Sequence, residues 1–267
     1  MPTPPWRLLH HEPADGPWNM AVDEAIVRAV GQARVPPTLR FYAWRAPTVS
    51  LGFLQRTPGG VDFPACKRMG IPLVRRPTGG RAVLHAQELT YSVCVPLQGS
   101  WRALSVRDAF GLVSLGLVAG LGRLGISAGT GESGSEAVER EHAAVCFLVR
   151  RMPAILVGGR KLIGSAQRRF QTALLQHGSI LLEFDPALHQ AVFPSWPRRN
   201  PTAGITHLRA LLGTLPPIPR LVGEMAAGWE EAFNVSCLPG TLTATEESDA
   251  SRLCEERYGT PAWTFQR

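Results

Sequence analysis

Long apolar segments are missing from this chain. The longest uncharged apolar run, residues 109–122, lies between Asp108 and Arg123 and is too short and too rich in glycine for a membrane span of about 20 residues. Residues 1–6 contain neither the basic region nor the apolar region of a secretory signal peptide. The sequence therefore predicts a cytoplasmic protein that does not enter a membrane.

Paired cysteines and metal-binding spacings are also missing. The chain has no C-x-x-C pair and no Cys/His cluster with zinc spacing, so we expect no bound metal. An odd number of cysteines in a cytosolic chain argues against a disulfide framework. One thiol can then be kept for its reactivity, and the candidates are Cys66, Cys94, Cys146, Cys237 and Cys254.

Two further patterns are lacking. Neither the G-x-G-x-x-G fingerprint nor the P-loop pattern occurs at the Gly79–Gly80 pair, so these motifs give no support to nucleotide binding. Dense lysine and arginine runs with interleaved aromatic residues are absent as well, which ranks nucleic acid low as a partner. The net charge of +7 and the pI near 9.7 nevertheless favour an acidic partner of some kind.

What the chain does have is the composition of a globular protein. It has 267 residues, of which 45% are hydrophobic, and a mean hydropathy near zero. No internal repeat or linker divides it. We predict one domain over residues 1–267, with a helical C-terminal segment, about 205–267, packed on it.

Strands and helices alternate irregularly along the chain. Asn19 is predicted to cap a helix that ends at Gly31, and Ser105 to cap a second one. Gly158 and Gly159 are predicted to turn a hairpin. The other predicted strands are 39–44, 48–51, 72–75, 89–95 and 179–183, and the other helices lie within 221–233 and 243–258. This order indicates an α+β fold with a mixed, largely antiparallel sheet flanked by helices.

Residues 75–91 are the most informative stretch. A Gly79–Gly80 turn follows Arg75 and Arg76 and precedes Arg81. Glycine lets backbone N–H groups approach a ligand closely, and arginine supplies fixed positive charge for a phosphate or carboxylate. The turn therefore has the character of an active-site floor, although the two arginines could equally form a solvated strand end.

Two cysteines compete as a nucleophile. Cys146 ends a polar loop, and Lys161 follows fifteen positions later, where a lysine close in space would lower the thiol pKa. Cys94 shares a strand face with Thr90 and Ser92, but no basic residue on that strand would activate it. Spacing alone favours an inert, buried role for both thiols.

Several motifs, in this order along the chain, resemble those of the lipoate–protein ligase A and octanoyltransferase family, whose catalytic domain is related to that of biotin–protein ligases. The motifs are residues 19–25 (NMAVDEA), 39–44 (LRFYAW), 47–52 (PTVSLG), 75–85 (RRPTGGRAVLH), 159–167 (GRKLIGSAQ) and 176–179 (QHGS). They span most of the chain. The resemblance implies a single catalytic domain with the fold of the biotin and lipoate protein ligases.

The transferase branch of that family, which uses a cysteine, fits better than the ATP-dependent ligases. Arg81 stands where ligases usually have a third glycine, residues 87–91 read QELTY, and Cys146 occupies the position of that branch's nucleophile. Two departures stand out: Ala86 replaces a common aspartate, and residues 148–151 replace a more polar segment.

The resemblance implies that Cys146 takes an octanoyl group from octanoyl-acyl carrier protein. A lysine of a lipoyl acceptor, either the glycine cleavage H protein or an E2 lipoyl domain, then receives it. No cofactor is needed beyond the octanoyl-phosphopantetheine thioester of the donor. The implied catalytic residues are Cys146 and Lys161, and the implied substrate-binding residues are Arg75, Arg76, Thr78, Gly79, Gly80, Arg81, His85, Gly164, Ser165 and Ala166.

Three alternatives remain open. A lipoate or octanoate ligase would use MgATP to activate the free acid. An amidotransferase would move an acyl group between two lipoyl domains through a cysteine. A non-catalytic protein would only bind lipoyl domains.

Overall fold

A computed structural model describes residues 5–58, 60–131, 154–200 and 202–267. Its strands are β1 (Trp6–His10), β2 (Thr38–Tyr42), β3 (Thr48–Leu51), β4 (Leu73–Arg75), β5 (Val83–His85), β6 (Glu88–Pro96), β7 (Gly129–Gly131), β8 (Ala154–Val157), β9 (Arg160–Arg169), β10 (Ala173–Leu181) and β11 (Cys237–Pro239).

The helices flank these strands. They are α1 (Gly16–Gly31), α2 (Phe63–Arg68), α3 (Ser100–Ala103), α4 (Val106–Arg123), α5 (Pro186–Val192), α6 (Leu208–Leu212), α7 (Ile218–Phe233), α8 (Ala244–Leu253) and α9 (Pro261–Thr264), with a π-helical turn at Cys254–Tyr258. Within the described residues, no helix is both long and apolar enough to cross a membrane.

Eight strands form one sheet in the spatial order β11–β1–β2–β6–β10–β9–β8–β7. Strand β1 is parallel to both of its neighbours, and the remaining pairs are antiparallel. A smaller sheet has the order β4–β3–β5, and the Gly79–Gly80 turn connects its outer strands. The predicted α+β class and the mixed, largely antiparallel sheet are confirmed.

The two faces of the large sheet bury separate clusters. Alternate side chains of β6 point to opposite faces, as expected for a strand. Tyr91 and Val93 lie in a cluster with α4 and α7, whereas Cys94 lies in a cluster with α1. Gly116 of α4 lies against the ring of Trp229, where a side chain would not fit. Glycine at this position allows α4 to pack closely on α7.

Helix α1 begins earlier than predicted. Its N-cap is Asp15, whose side chain accepts from the Trp18 N–H at 2.9 Å, and Pro17 follows in the first turn. The predicted cap, Asn19, is instead buried inside the helix and donates to the carbonyls of Ala14 and Ala43. The prediction was wrong because asparagine is a common N-cap residue, whereas the side chain of Asn19 is used in these tertiary contacts.

Most other predicted elements are confirmed with shifted ends. Ser105 caps α4, and Thr243 forms a capping box with Glu246 at the start of α8. Gly158 and Gly159 turn the β8–β9 hairpin with positive φ angles of 54° and 73°. The predicted strand at 179–183 is the end of the longer β10, whose earlier residues were missed.

The C-terminal segment packs on α1 and on the small sheet. Buried Glu24 of α1 accepts from Arg257 at 2.7 Å and also from the Tyr258 hydroxyl. The Arg75 guanidinium donates to the Thr264 carbonyl at 3.0 Å. Residues 257–264 therefore hold both α1 and the strand that leads into the Gly79–Gly80 turn.

Candidate active site

A partly open cavity lies beside the Gly79–Gly80 turn, and its volume of about 400 Å³ includes space that is open to solvent. Side chains from α1, the large sheet and the small sheet meet around it. Among the described residues, its lining is Met20, Tyr42, Trp44, Ser50, Arg76, Val83, His85, Thr90, Gly164, Ser165, Ala166, His177, Gly178 and Ser179. Five of the residues predicted to bind substrate, namely Arg76, His85, Gly164, Ser165 and Ala166, therefore lie together.

A buried carboxylate stands behind this cavity. Asp23 of α1 accepts from the Arg40 guanidinium at 2.7 Å and from the Ser92 hydroxyl at 2.8 Å. Its other oxygen accepts from the Tyr42 hydroxyl and from His177 Nδ1, both at 2.9 Å. Burial alone would raise the pKa of Asp23, but the Arg40 charge and the His177 hydrogen bond outweigh it and hold the pKa below its usual value.

His177 connects that carboxylate to the turn. Because a carboxylate can only accept, Nδ1 of His177 carries the proton, and Nε2 accepts from the Thr78 hydroxyl at 2.6 Å. Burial lowers the pKa of His177, so the ring is neutral near pH 7. In this tautomer, His177 links Asp23 to Thr78, the residue that immediately precedes the Gly79–Gly80 turn.

Glu88, His85 and Ser50 form a second series of hydrogen bonds that runs from a carboxylate through a histidine to a hydroxyl group. Glu88 Oε1 lies 2.8 Å from His85 Nδ1, and His85 Nε2 lies 2.7 Å from the Ser50 hydroxyl. Ser50 Oγ also accepts from Arg76 at 3.0 Å. Glu88 therefore gives His85 an acidic partner.

The carbonyl groups of the turn face inward. The carbonyls of Gly79 and Arg81 accept from the Arg76 guanidinium at 2.7 Å each, and the Thr78 carbonyl accepts from the Phe53 N–H at 2.8 Å. The Gly80 carbonyl packs against Gly52, where a side chain would overlap it. Gly80 has a φ of +90°, which favours glycine. The Arg76 guanidinium and the Phe53 N–H therefore fix the backbone of the turn through its carbonyls.

The three arginines of the motif have different surroundings. Arg75 is fully buried and donates to the carbonyls of Gly52 and Gln55 at 2.6 and 2.8 Å, so it holds the neighbouring backbone. Arg76 lines the cavity and braces the turn from inside. Arg81 is exposed at the surface of the turn. Arg75 and Arg76 therefore support the backbone, and Arg81 is the exposed member of the three.

Lys161 is buried at the start of β9, three positions before the cavity residue Gly164. Its backbone is fixed by the Gly204 carbonyl at 2.7 Å and the Thr206 N–H at 3.0 Å. It is absent from the described part of the cavity lining. Cys146 lies outside the described residues, so its predicted proximity to Lys161 stays a prediction.

The four described cysteines are all poor nucleophiles. Burial raises the pKa of Cys66, of Cys94 and of Cys254, and it raises that of Cys237 to about 12. For Cys94 the nearby Asp23 charge adds to the effect. Cys94, the second candidate nucleophile from the sequence, is therefore disfavoured as a thiolate.

Sequence reasoning missed the acidic half of the site. Asp23 and Glu88 entered the sequence analysis only as members of the motifs 19–25 and 87–91, yet both are buried and accept hydrogen bonds from histidine. Ser50 likewise appeared there only within a motif and a strand. The available signal was a carboxylate on a helix whose neighbours are almost all apolar, since such residues are rarely buried without a partner.

The mixed sheet, the cavity and the glycine turn together define the architecture of this domain. The profile of the lipoyl protein ligase A/B catalytic domain family matches residues 15–228. The chain belongs to this family.

Named relatives narrow the assignment. The octanoyltransferase LipM of Kyrpidia tusciae is 41% identical, over 98% of this chain and 99% of the relative. A crystal structure of lipoate–protein ligase A bound with ATP has a TM-score of 0.83 and 26% identity, covering 98% of this chain and 99% of the other. A bipartite lipoate protein ligase from Thermoplasma acidophilum, described with its E2 lipoyl domain, has a TM-score of 0.79 and 25% identity, with coverage of 98% and 97%. The prediction of an acyltransferase of the octanoyltransferase type is confirmed.

Proposed function

We propose that this octanoyltransferase takes its acyl group from octanoyl-acyl carrier protein and passes it, through a thioester on Cys146, to a lysine of a lipoyl acceptor. The cavity beside the glycine turn is the observation that carries the proposal. Met20, Trp44 and Val83 give it apolar walls. Burying a seven-carbon tail at about 0.8 kcal/mol per CH₂ contributes about 5 kcal/mol to holding the octanoyl chain.

The chemistry has two balanced steps. The Cys146 thiolate attacks the thioester carbonyl, an S–C bond forms, and the phosphopantetheine thiolate leaves and takes a proton. The amine of the acceptor lysine then attacks the new thioester, an amide bond forms, and the Cys146 thiolate departs while the nitrogen loses its proton. Lys161 stabilises the thiolate, and the N–H groups of Gly79, Gly80 or Ser165 stabilise the oxyanion in both steps.

Two features support Cys146 as the nucleophile. The other four thiols have raised pKa values, so burial disfavours their thiolate forms. The relative from Kyrpidia tusciae is named an octanoyltransferase, and acyl transfer through a thioester needs a nucleophile such as the Cys146 thiol. No metal or nucleotide enters the proposed reaction.

The partners follow from the chemistry. The donor is an acyl carrier protein, and the acceptor is the glycine cleavage H protein or an E2 lipoyl domain, in the cytoplasm. Both partner types are acidic, and the net charge of +7 would steer them to this protein. The Thermoplasma acidophilum ligase described with its E2 lipoyl domain supports an acceptor of that class.

Intact-mass measurement after mixing with octanoyl-acyl carrier protein, without ATP, tests the proposal. We expect one added octanoyl group, which disappears in Cys146→Ser and persists in the control Cys254→Ser. Addition of an acceptor domain should remove the group from the enzyme and place it on the acceptor.

Each alternative gives a different result. A ligase would label the acceptor from free octanoate and MgATP even in Cys146→Ala. An amidotransferase would give no product from octanoyl-acyl carrier protein but would react with an octanoylated lipoyl domain. A protein that only binds would form complexes with no change in mass. Any of these three outcomes contradicts the proposal.

A further inference from the structure

A cluster of arginines surrounds an aromatic ring on the outer side of the glycine turn. The guanidinium carbon of Arg168 lies 4.3 Å from the centre of the Phe53 ring, and that of Arg267 lies 5.6 Å from it. Leu54 is 65% exposed beside them, and Arg56 is exposed two positions further on. We call Phe53, Leu54, Arg56, Arg168 and Arg267 the Phe53 patch.

The Phe53 patch is attached directly to the turn. The Phe53 N–H donates to the Thr78 carbonyl at 2.8 Å, and Arg168 donates to the Pro77 carbonyl at 2.9 Å. Arg168 also follows the cavity residues of β9 by two positions. A molecule on the Phe53 patch therefore lies next to the wall of the cavity.

The positive charge of the Phe53 patch is not neutralised within the described part of the chain. Arg56, Arg168 and Arg267 form no ion pair with a side-chain carboxylate there, whereas arginines elsewhere, such as Arg7 and Arg40, pair with buried acids. Three guanidinium groups without a carboxylate partner among the described residues, together with the exposed Leu54, make a surface that complements an anionic partner with an apolar contact.

We propose that the Phe53 patch is the docking surface for the acyl carrier donor, a statement that rests on the proposed function. The donor's arm begins at a phosphodiester, and guanidinium groups are well suited to bind phosphate. The acceptor instead presents a lysine side chain, which offers no phosphate for these guanidinium groups to bind. The Phe53 patch therefore favours the donor over the acceptor, while Leu54 contacts the body of the carrier protein.

Two donors of different size test this assignment. One is octanoyl-acyl carrier protein, and the other is octanoyl-pantetheine, which has the thioester but neither the phosphate nor the protein. The variants are Arg56→Glu and Arg267→Glu, and the control is Arg220→Glu. Arg220 is exposed on α7, on the opposite face of the large sheet.

Formation of the octanoyl-enzyme from octanoyl-acyl carrier protein by the unmodified chain is scored first, because it tests the proposed function alone. For each patch variant we then expect the kcat/KM for octanoyl-acyl carrier protein to fall about tenfold, through KM. The kcat/KM for octanoyl-pantetheine and the KM for the acceptor should change less than about twofold. The control should behave like the unmodified chain with both donors.

Three results would overturn the assignment while leaving the proposed function intact. An equal loss with both donors would mean that the substitutions damage the cavity. A loss confined to the KM of the acceptor would assign the Phe53 patch to the other partner. Unchanged kinetics with octanoyl-acyl carrier protein would mean that the donor docks elsewhere.

Discussion

Asparagine in place of Asp23 should destabilise the protein strongly. Asp23 accepts hydrogen bonds from Arg40, Ser92, Tyr42 and His177. Asn has nearly the same shape, but it replaces one accepting oxygen with an NH₂ group that donates. At least one buried donor then faces another donor, and the Arg40 charge loses its counterion.

The burial of this pair sets the magnitude. The side chains of Arg40 and Asp23 are 1% and 0% exposed, and breaking a buried ion pair by changing one partner costs about 3–5 kcal/mol. The control is Glu183→Gln, whose pair with Arg209 is 35% and 47% exposed and is worth at most about 1 kcal/mol. Urea unfolding near neutral pH, followed by tryptophan fluorescence, compares the two free energies of unfolding.

The pH dependence gives a second check. The folded pKa of Asp23 lies below its ordinary value of 3.8, so the stability that its ionised form contributes is present above that value. This contribution is lost as the pH falls through the depressed folded pKa. The difference between Asp23→Asn and the unmodified chain should therefore be constant from neutral pH down to about pH 5 and shrink only in stronger acid. If Asp23→Asn costs no more than Glu183→Gln, the argument from burial is wrong.

Two other substitutions have effects of opposite kinds. Burial lowers the pKa of His189 from 6.5 to about 4. As the pH falls from about 6.5 to about 4, the unfolded state therefore binds a proton that the folded state does not, and the free energy of unfolding decreases. His189→Gln should remove about 2 kcal/mol of the stability difference between about pH 7.5 and about pH 5, as measured by urea unfolding; an unchanged difference would contradict this reasoning. Gly228→Ala should cost about 1–3 kcal/mol, because its new methyl group would overlap the backbone of Gly120. Gly111→Ala, whose new methyl group on α4 would lie in open space, should instead stabilise by up to about 1 kcal/mol, and equal thermal shifts in the two variants would refute the packing argument.

Local patterns were sufficient to predict most of the fold. The alternation of residues 89–95 identified β6 and both of its faces, because a half-polar strand must place one set of side chains in each cluster. Thr243 and Glu246 identified the start of α8 through a contact within one turn. The start of α1 was wrong because Asn19 has the residue type of a cap while its side chain is used in tertiary contacts.

The candidate site was predictable only in part, because its hydrogen bonds join segments that are far apart in the sequence. Asp23 and His177 are 154 positions apart, and Thr78 and His177 are 99 apart. No spacing rule connects residues across such distances. The Gly79–Gly80 turn was found because its chemistry lies within one short segment, whereas the inert state of Cys94 depends on burial that only the fold creates.

The attachment of residues 257–264 affects how such enzymes can be recombined. Glu24 is adjacent in sequence to Asp23, and Arg257 and Tyr258 hold it. Thr264 accepts from Arg75 of the strand before the turn. A chimera that takes its C-terminal third from one homologue and α1 from another would mismatch both attachments. Functional exchange should therefore require that α1, the turn and the C-terminal helices be transplanted as one cassette, even though they are far apart in the gene.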